Sequence, residues 1–386
     1  MKVLSLVAAT AAAFVASVSA APLTLRATDD SNPFAGKSFY GNPYYRSLVE
    51  KEAARLKAEG KADLAAKAAK VARVPVFSWV YDSSSVNDIT GYLKDAAAIQ
   101  KKTGKKQIVQ LVIYNLPDRD CSSKASAGEL SLASSATGET PYQKLLQSAK
   151  AQIEKYPDVA VALILEPDSI GDLVGSNDVA KCKNSAQAHK RLLSMAIATL
   201  QLPNVSIYLD GANAGWLGWS ETLAPTAALL GEILQDARMY NKNATVRGLA
   251  TNVSNYNGLG NQKEAGKDEL KYINDLAPYL KKVGFPTNFI VDQGRAGNQK
   301  AARGDDSWCN FKYAGFGLRP AVTTHPLVDA VVWVKPGGES DGTSDTSSPR
   351  YDTTCTSPTS FVPSPEAGDW SPEIFRLLVE QANPSF

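Results

Sequence analysis

Asp118, Arg119 and Asp120 crowd into the segment YNLPDRDC, residues 114–121, directly behind an apolar run at 107–113. A second apolar run, 159–165, ends in the same way, in Glu166, Pro167 and Asp168. A fold that joins two such strand ends sets carboxylates side by side. Like charges in one pocket resist joint ionisation, so at least one pKa must rise. A carboxylic acid still protonated near neutral pH, beside a charged one, is the equipment for splitting an acetal such as a glycosidic bond. Asp168, beside Pro167, suits the proton donor. Asp120 would raise the pKa of that donor, and Arg119 can hold Asp120 ionised. Tyr114 can approach a sugar ring as it flattens. Further on, VKPGGESDGTSD brings Lys335, Glu339 and Asp341 onto a Gly-rich loop. Asp341 paired with Lys335 would stay ionised, as a base or an electrostatic stabiliser.

These groups need a frame that collects strand ends. Apolar strand candidates occupy 74–79, 108–113, 159–165, 205–209, 245–250, 288–291 and 330–334. Helical stretches fall between them at 88–102, 141–156, 185–200, 222–239 and 269–283, with one more at 44–71 in front. Strands alternating with helices imply βαβ units and a parallel sheet. About seven repeats favour an α/β fold closed into a (β/α) barrel, whose active face is the carboxyl end of its strands. Tyr114, Asp118, Asp120, Glu166, Asp168, Asp210, Asn252, Asp292 and Lys335 all stand at such ends. Helix capping would explain single Asp or Asn residues there. It does not explain the set, because caps do not call for Arg119, Lys335 and Glu339.

The indoles Trp216 and Trp219 lie in GWLGW just beyond Asp210, and Trp79 and Trp308 fall beside strand ends or cysteines. Pyranose faces are apolar, so several indoles at one barrel mouth would line a groove for a polymer. Core packing is the competing explanation for any one of them. Two long stretches without periodicity, 122–140 and 337–369, read as ordered walls over the active face.

The remaining composition narrows the classes. The chain has 386 residues, 44% hydrophobic, with a formal net charge of +2. That balance suggests neither nucleic acid nor an acidic membrane surface as partner. The two histidines, His189 and His325, lack metal-ligand spacing. No phosphate-binding loop, GxSxG elbow or dinucleotide fingerprint is present. No metal and no cofactor is expected, and a monomer is. Residues 1–20 read as a secretory signal with a small-residue cleavage site, 21–31 as a short lead and 32–386 as one catalytic-type domain. The reading is therefore of a secreted, extracellular protein. Four cysteines then suggest two disulfides. Three pairings are open. Cys121–Cys182 with Cys309–Cys355 is favoured because each would staple one loop-rich stretch, at roughly 4 kcal/mol apiece in the loop-entropy account. Sequons at Asn204, Asn243 and Asn252 permit glycosylation.

Taken together and in order, YNLPDRDC, ILEPDS, YLDGANAGWLGW, ATNVSNYNG and WVKPGGESDGTSD resemble glycoside hydrolase family 6, over about residues 32–386. The resemblance implies a distorted (β/α) barrel of about seven parallel strands, long loops enclosing an active-site tunnel, and inverting hydrolysis of β-1,4-glucan. By motif position Asp168 resembles the general acid. Asp120 resembles the residue that raises its pKa and helps activate water, and Asp341 resembles the debated base. Tyr114 and Ser126 resemble residues at the ring-distorting subsite, and Asp210 the carboxylate behind the acid. Lys335 and Glu339 match glucose-binding positions. Trp79, Trp216, Trp219 and Trp308 match stacking platforms, and Asn252 and Asp210 are counted with the substrate-binding set. Both long loops are present, and the C-terminal one, with Cys309–Cys355, resembles the tunnel-forming type. They imply a cellobiohydrolase attacking non-reducing ends of cellulose chains and cello-oligosaccharides, in a form without a cellulose-binding module. An endo-β-1,4-glucanase of the same family and a catalytically silent glucan-binding protein are the alternatives. The chain departs from the family pattern at Asn115, Asn213 and Ser340.

Overall fold

The computed structural model describes residues 32–386 apart from 135–137, 177, 261–265, 302–303 and 305–306. The signal segment expected at 1–20 and the lead at 21–31 lie outside the described residues. So does part of the first long loop.

Nine strands form one sheet among the described residues: β1 Ser38–Phe39, β2 Ser78–Val80, β3 Gln107–Ile113, β4 Ala160–Leu165, β5 Val205–Asp210, β6 Gly248–Thr251, β7 Asn288–Asp292, β8 Ala321–Val322 and β9 Val328–Val332. The order is β1-β3-β4-β5-β6-β7-β9-β8, with β2 also paired to β3. Eight strands, β1 to β7 and β9, run parallel, the seven expected ones among them. Only β8 is antiparallel. The two edges nearly meet. Phe77 N–H donates to Trp333 O at 3.0 Å, and Trp79 Nε1 donates to Val334 O at 2.9 Å. The result is a curled, almost closed barrel.

Strand alternation sorts the apolar residues into two layers. Ile108, Val112, Ala162, Ile164, Tyr208, Ile290 and Val332 fill the barrel interior with Phe34 and Phe77. Val109, Leu111, Ile113, Val161, Leu163 and Leu165 face outward against the helices. All seven residues of β3 are buried, as a strand covered on both faces requires.

The covering helices are α1 Pro43–Ala58, α2 Ala62–Val71, α3 Ile89–Thr103, α4 Glu139–Ile153, α5 Ser169–Gly175, α6 Ala180–Thr199, α7 Ala214–Leu217, α8 Ser220–Tyr240, α9 Glu269–Lys282 and α10 Pro372–Glu380. The single helix expected at 44–71 is two. Gly60, at φ +80°, turns the chain between them, a conformation that ends a right-handed helix. The start of α1 is set by sequence: Asn42 accepts from Tyr45 N–H and Pro43 opens the first turn. The loop at 337–369 contains only one short 3-10 turn, Thr353–Thr356. No described helix is long and apolar enough to cross a membrane.

Candidate active site

Backbone strain marks the working face. Among the described residues, non-glycine positions with positive φ are Asp118, Asp120, Glu166, Asp168, Ala212, Asn252, Ser254 and Asn310. All lie in loops beyond the carboxyl ends of β3 to β7. Such outliers cost about 1–3 kcal/mol each and persist where the surroundings over-determine them. A cavity of about 1510 Å³ opens at that face. This exceeds the roughly 300–1,000 Å³ typical of a small-molecule pocket.

Asp168 opens α5 in a left-handed conformation (φ +70°), which turns its carboxyl into the cavity. Tyr114 Oη donates to Asp168 Oδ2 at 3.3 Å. Burial, then the nearby Asp210, Asp120 and Asp172, push the Asp168 carboxyl well above the usual carboxylate range. Behind it Asp210 accepts from the Asp168 N–H at 2.9 Å and from Ala212 N–H at 3.2 Å. Burial pushes Asp210 itself up to about 7. Asp210 is buried and does not line the cavity, so its assignment to the substrate-binding set is corrected. Its place at the last position of β5 aims the side chain at the backbone of the β4 loop instead.

Asp120 lines the same cavity, and Asp120 Oδ2 accepts from the Ser126 N–H at 2.6 Å. Its carboxyl is raised by burial, against the pull of that N–H and of the Arg119 charge. The expected hold of Arg119 on Asp120 acts through its charge, which favours the ionised form but does not outweigh burial. The guanidinium is spent on the carbonyls of Ser126, Tyr81 and Tyr114, and it lies 4.3 Å from the Tyr114 ring centroid. Arg119 ties Tyr114 to the β2 and β3 loops. Trp79 meets the Tyr114 ring edge-on at 5.7 Å.

Asp341 sits in a different setting. Arg295 Nη1 reaches both its oxygens, at 2.9 and 2.7 Å. Tyr256 Oη donates to Oδ2 at 2.7 Å and Asn310 N–H at 2.9 Å. Lys335 Nζ is 3.9 Å from Oδ1. Burial pushes this carboxyl up, but Arg295 and Lys335 outweigh it and hold the group below its ordinary value. The expected Lys335 pair is therefore the minor partner. Sequence reasoning missed Arg295, Tyr256 and Asn310. The strand-end rule that picked out Asp292 reaches Arg295 three residues further on, and Tyr256 stands inside ATNVSNYNG. Glu339 lines the cavity near Lys335, and burial pushes its carboxyl up to about 7.

Trp79, Trp216, Trp219 and Trp308 all line the cavity, as do Ser126, Lys335 and Asn213. Trp216 lies flat on α5, where a Cβ at Gly171 or Gly175 would come within 2.7 or 2.5 Å of the indole. It also packs on the outer core, so both explanations offered for it hold in part. Asn252 does not reach the cavity. Its amide donates to Asn257 O and Asp292 O, and it accepts from Asn257 N–H. It belts the β6 and β7 loops together, which corrects its placement among substrate-binding residues.

The disulfides are Cys121–Cys182 and Cys309–Cys355. The first fixes the loop after Asp120 to α6. The second lies under Trp308 and packs on Ala125. Arg350 donates to Ala125 O at 3.1 and 2.8 Å, so the two long loops touch. Both contribute residues to the cavity lining.

A barrel with two buried aspartyl carboxyls of raised pKa and indoles along one cavity belongs to the class of glycoside hydrolases. The sequence profile of glycosyl hydrolases family 6 matches residues 34–382, and the chain belongs to that family. It is 44% identical over 362 residues to exoglucanase 3 of Agaricus bisporus, covering 92% of this chain and 80% of that one. It is 45% identical over 371 residues to a Fusarium oxysporum protein provisionally named endoglucanase type B, covering 92% and 77%. Cellobiohydrolase II (Cel6A) of Humicola insolens, solved with glucose and cellotetraose, matches with a TM-score of 0.87 at 39% identity, covering 92% of this chain and 100% of that one.

Proposed function

We propose that this chain is a secreted, monomeric cellobiohydrolase. It cleaves β-1,4-glucosidic bonds two sugars in from the non-reducing ends of cellulose chains and cello-oligosaccharides. Asp168 gives its proton to the leaving glycosidic oxygen and ends as the carboxylate. The oxygen of a water attacks the anomeric carbon from the opposite face, so configuration inverts. The proton that this water loses passes through solvent toward Asp120. Asp341, with its lone pairs already engaged by Arg295, Tyr256 and Asn310, supplies fixed negative charge to the oxocarbenium-like centre. Lys335 and Glu339 hold the sugar on the product side. Trp216, Trp219 and Trp308 stack the chain on the leaving-group side. Trp79 and Tyr114 form the wall against which the reacting ring flattens, with Ser126 beside them.

The observation that carries this reading is Asp168, a cavity-facing carboxyl whose burial and three acidic neighbours push its pKa well above the usual carboxylate range. The contact of Arg350 with Ala125 favours chain-end attack, because joined loops hinder a chain from entering sideways. The name of the Fusarium relative keeps the endo reading as the second one.

Asp168→Asn removes the proton but keeps the shape. It should lower kcat on cello-oligosaccharides by about 10²–10⁴-fold while oligosaccharide binding survives. Near wild-type turnover by this variant would defeat the assignment. A fast early drop in the viscosity of soluble cellulose would favour the endo reading.

A further inference from the structure

The cavity wall is not all indole: Tyr40, Tyr44, Tyr81 and Tyr92 share it, with Asp88 and Gly91, and Tyr44, Tyr81, Tyr92 and Asp88 lie close together. Tyr44 is 62% exposed and Tyr81 51%, so neither ring is there to fill the core. Exposed aromatic rings held by fixed backbone are the usual means of presenting an apolar face to a ligand.

These rings are held in place. Tyr81 O accepts from Arg119 Nη1 at 2.7 Å, and Tyr81 N–H donates to Ser85 Oγ at 3.0 Å. Tyr44 sits in the first turn of α1, fixed by the Asn42 cap and Pro43. Tyr40 Oη donates to Asp95 Oδ2 at 2.8 Å, and its ring lies 6.5 Å from that of Tyr92. Tyr81 leaves the end of β2 with its phenol near Tyr44, Asp88 and Glu339, so this cluster lies on the side of the cavity that holds Glu339. Gly91 leaves the floor open: a Cβ there would meet nothing within 4 Å. Asp88, exposed beside these rings, offers a hydroxyl acceptor.

We infer that this phenol-lined shelf is a third glucosyl-binding position on the non-reducing side, one sugar beyond the two that the proposed reaction releases. The inference rests on the proposed function for its orientation. Open aromatic faces, a flanking carboxylate and a clear floor at Gly91 are the chemistry of a neutral saccharide. The shelf joins without interruption the groove that takes the rest of the chain. A chain seated one unit deeper is cut to cellotriose in place of cellobiose.

Two readouts test this. In the first, cellohexaose is digested at initial rate and the products are separated. Cellotriose can form only when three sugars lie on the non-reducing side. Wild type should release some cellotriose beside cellobiose. Tyr44→Ala should cut the cellotriose-to-cellobiose ratio by about three- to tenfold, the value of one aromatic contact, with the cellobiose rate kept. Gly91→Phe, which plugs the floor, should cut it at least as far. An unchanged ratio in both variants, or cellobiose without any cellotriose from wild type, overturns the shelf. No hydrolysis at all by wild type would defeat the proposed function instead. The second readout needs no turnover. Cellotriose is titrated by calorimetry into Asp168→Asn and into Asp168→Asn/Tyr44→Ala. A loss of affinity of about threefold or more in the double variant supports the shelf, and equal affinity overturns it.

Discussion

Asp168 and Asp341 are the same residue type at the mouth of the same barrel, and their surroundings treat them in opposite ways. Both suffer the desolvation that burial brings, which raises a carboxyl pKa. Around Asp168 the other charges are acidic, Asp210, Asp120 and Asp172, and they add to that rise. Around Asp341 they are basic, Arg295 and Lys335, and they reverse it. Burial alone therefore does not decide protonation. The sign of the neighbouring charge does, and the fold chooses it by which loops it brings together. The β3 to β5 loops assemble a group poised to give a proton away. The β7 and β9 loops assemble a carboxylate held in its charged form to lower pH.

Removing Arg295 is the strongest way to break this contrast. Arg295→Met leaves Asp341 buried with only neutral donors and a lysine 3.9 Å away. Breaking one partner of a buried ion pair costs about 3–5 kcal/mol, so the urea midpoint at pH 6 should fall by the corresponding amount. Arg295→Met/Asp341→Asn, which removes the stranded charge, should regain more than half of the loss. A single variant within about 1 kcal/mol of wild type would mean that Asp341 is not held by charge.

The pH dependence of stability sharpens the contrast at the level of the whole face. Burial raises Glu166, Asp210 and Glu339 to about 7 and Asp172 to about 6. A carboxyl raised in the folded state contributes fully below its unfolded pKa, near 4, and that contribution is lost as pH climbs through the folded value. Asp341, lowered, does the reverse: its contribution is present above about 4 and is lost on further acidification. The thermal midpoint should therefore be highest near pH 4 to 5 and fall by several degrees by pH 8. A midpoint rising from pH 5 to 8 would show that these carboxyls are charged without penalty.

Which of these groups could be seen in the sequence follows from what sequence encodes. Apolar runs of strand length broken by Asp, Glu or Lys are local patterns, so the seven parallel strands and the ends carrying Asp120, Asp168, Lys335 and Asp341 were legible. The two-residue strands β1 and β8 carry no periodicity and were not. Loop partners were the hidden part. Arg119 faces three carbonyls in place of Asp120, and Asp341 takes Arg295 before Lys335, because long side chains choose partners by loop geometry. Asp210 and Asn252 share the strand-end signature of Asp168. Which way such a residue points depends on backbone angles and strand phase that composition does not record. Both turn inward, one to brace the Asp168 backbone and one to tie two loops.

Asp210 gives the smallest effect and the most direct reading of Asp168. Its carboxyl, pushed up to about 7, is uncharged at acidic pH and ionises only on the alkaline side, where the activity of a general acid is already failing. There its charge helps Asp168 keep its proton. Asp210→Asn retains an oxygen able to accept from the Asp168 N–H but never becomes charged. Asp168 should then ionise earlier. The alkaline limb of kcat should move to lower pH by less than about one unit, with the acid limb in place. An alkaline limb that stays put, in a variant with unaltered acid-side activity, would leave burial alone to protonate Asp168. A limb that moves to higher pH would mean that Asp168 is not the acid.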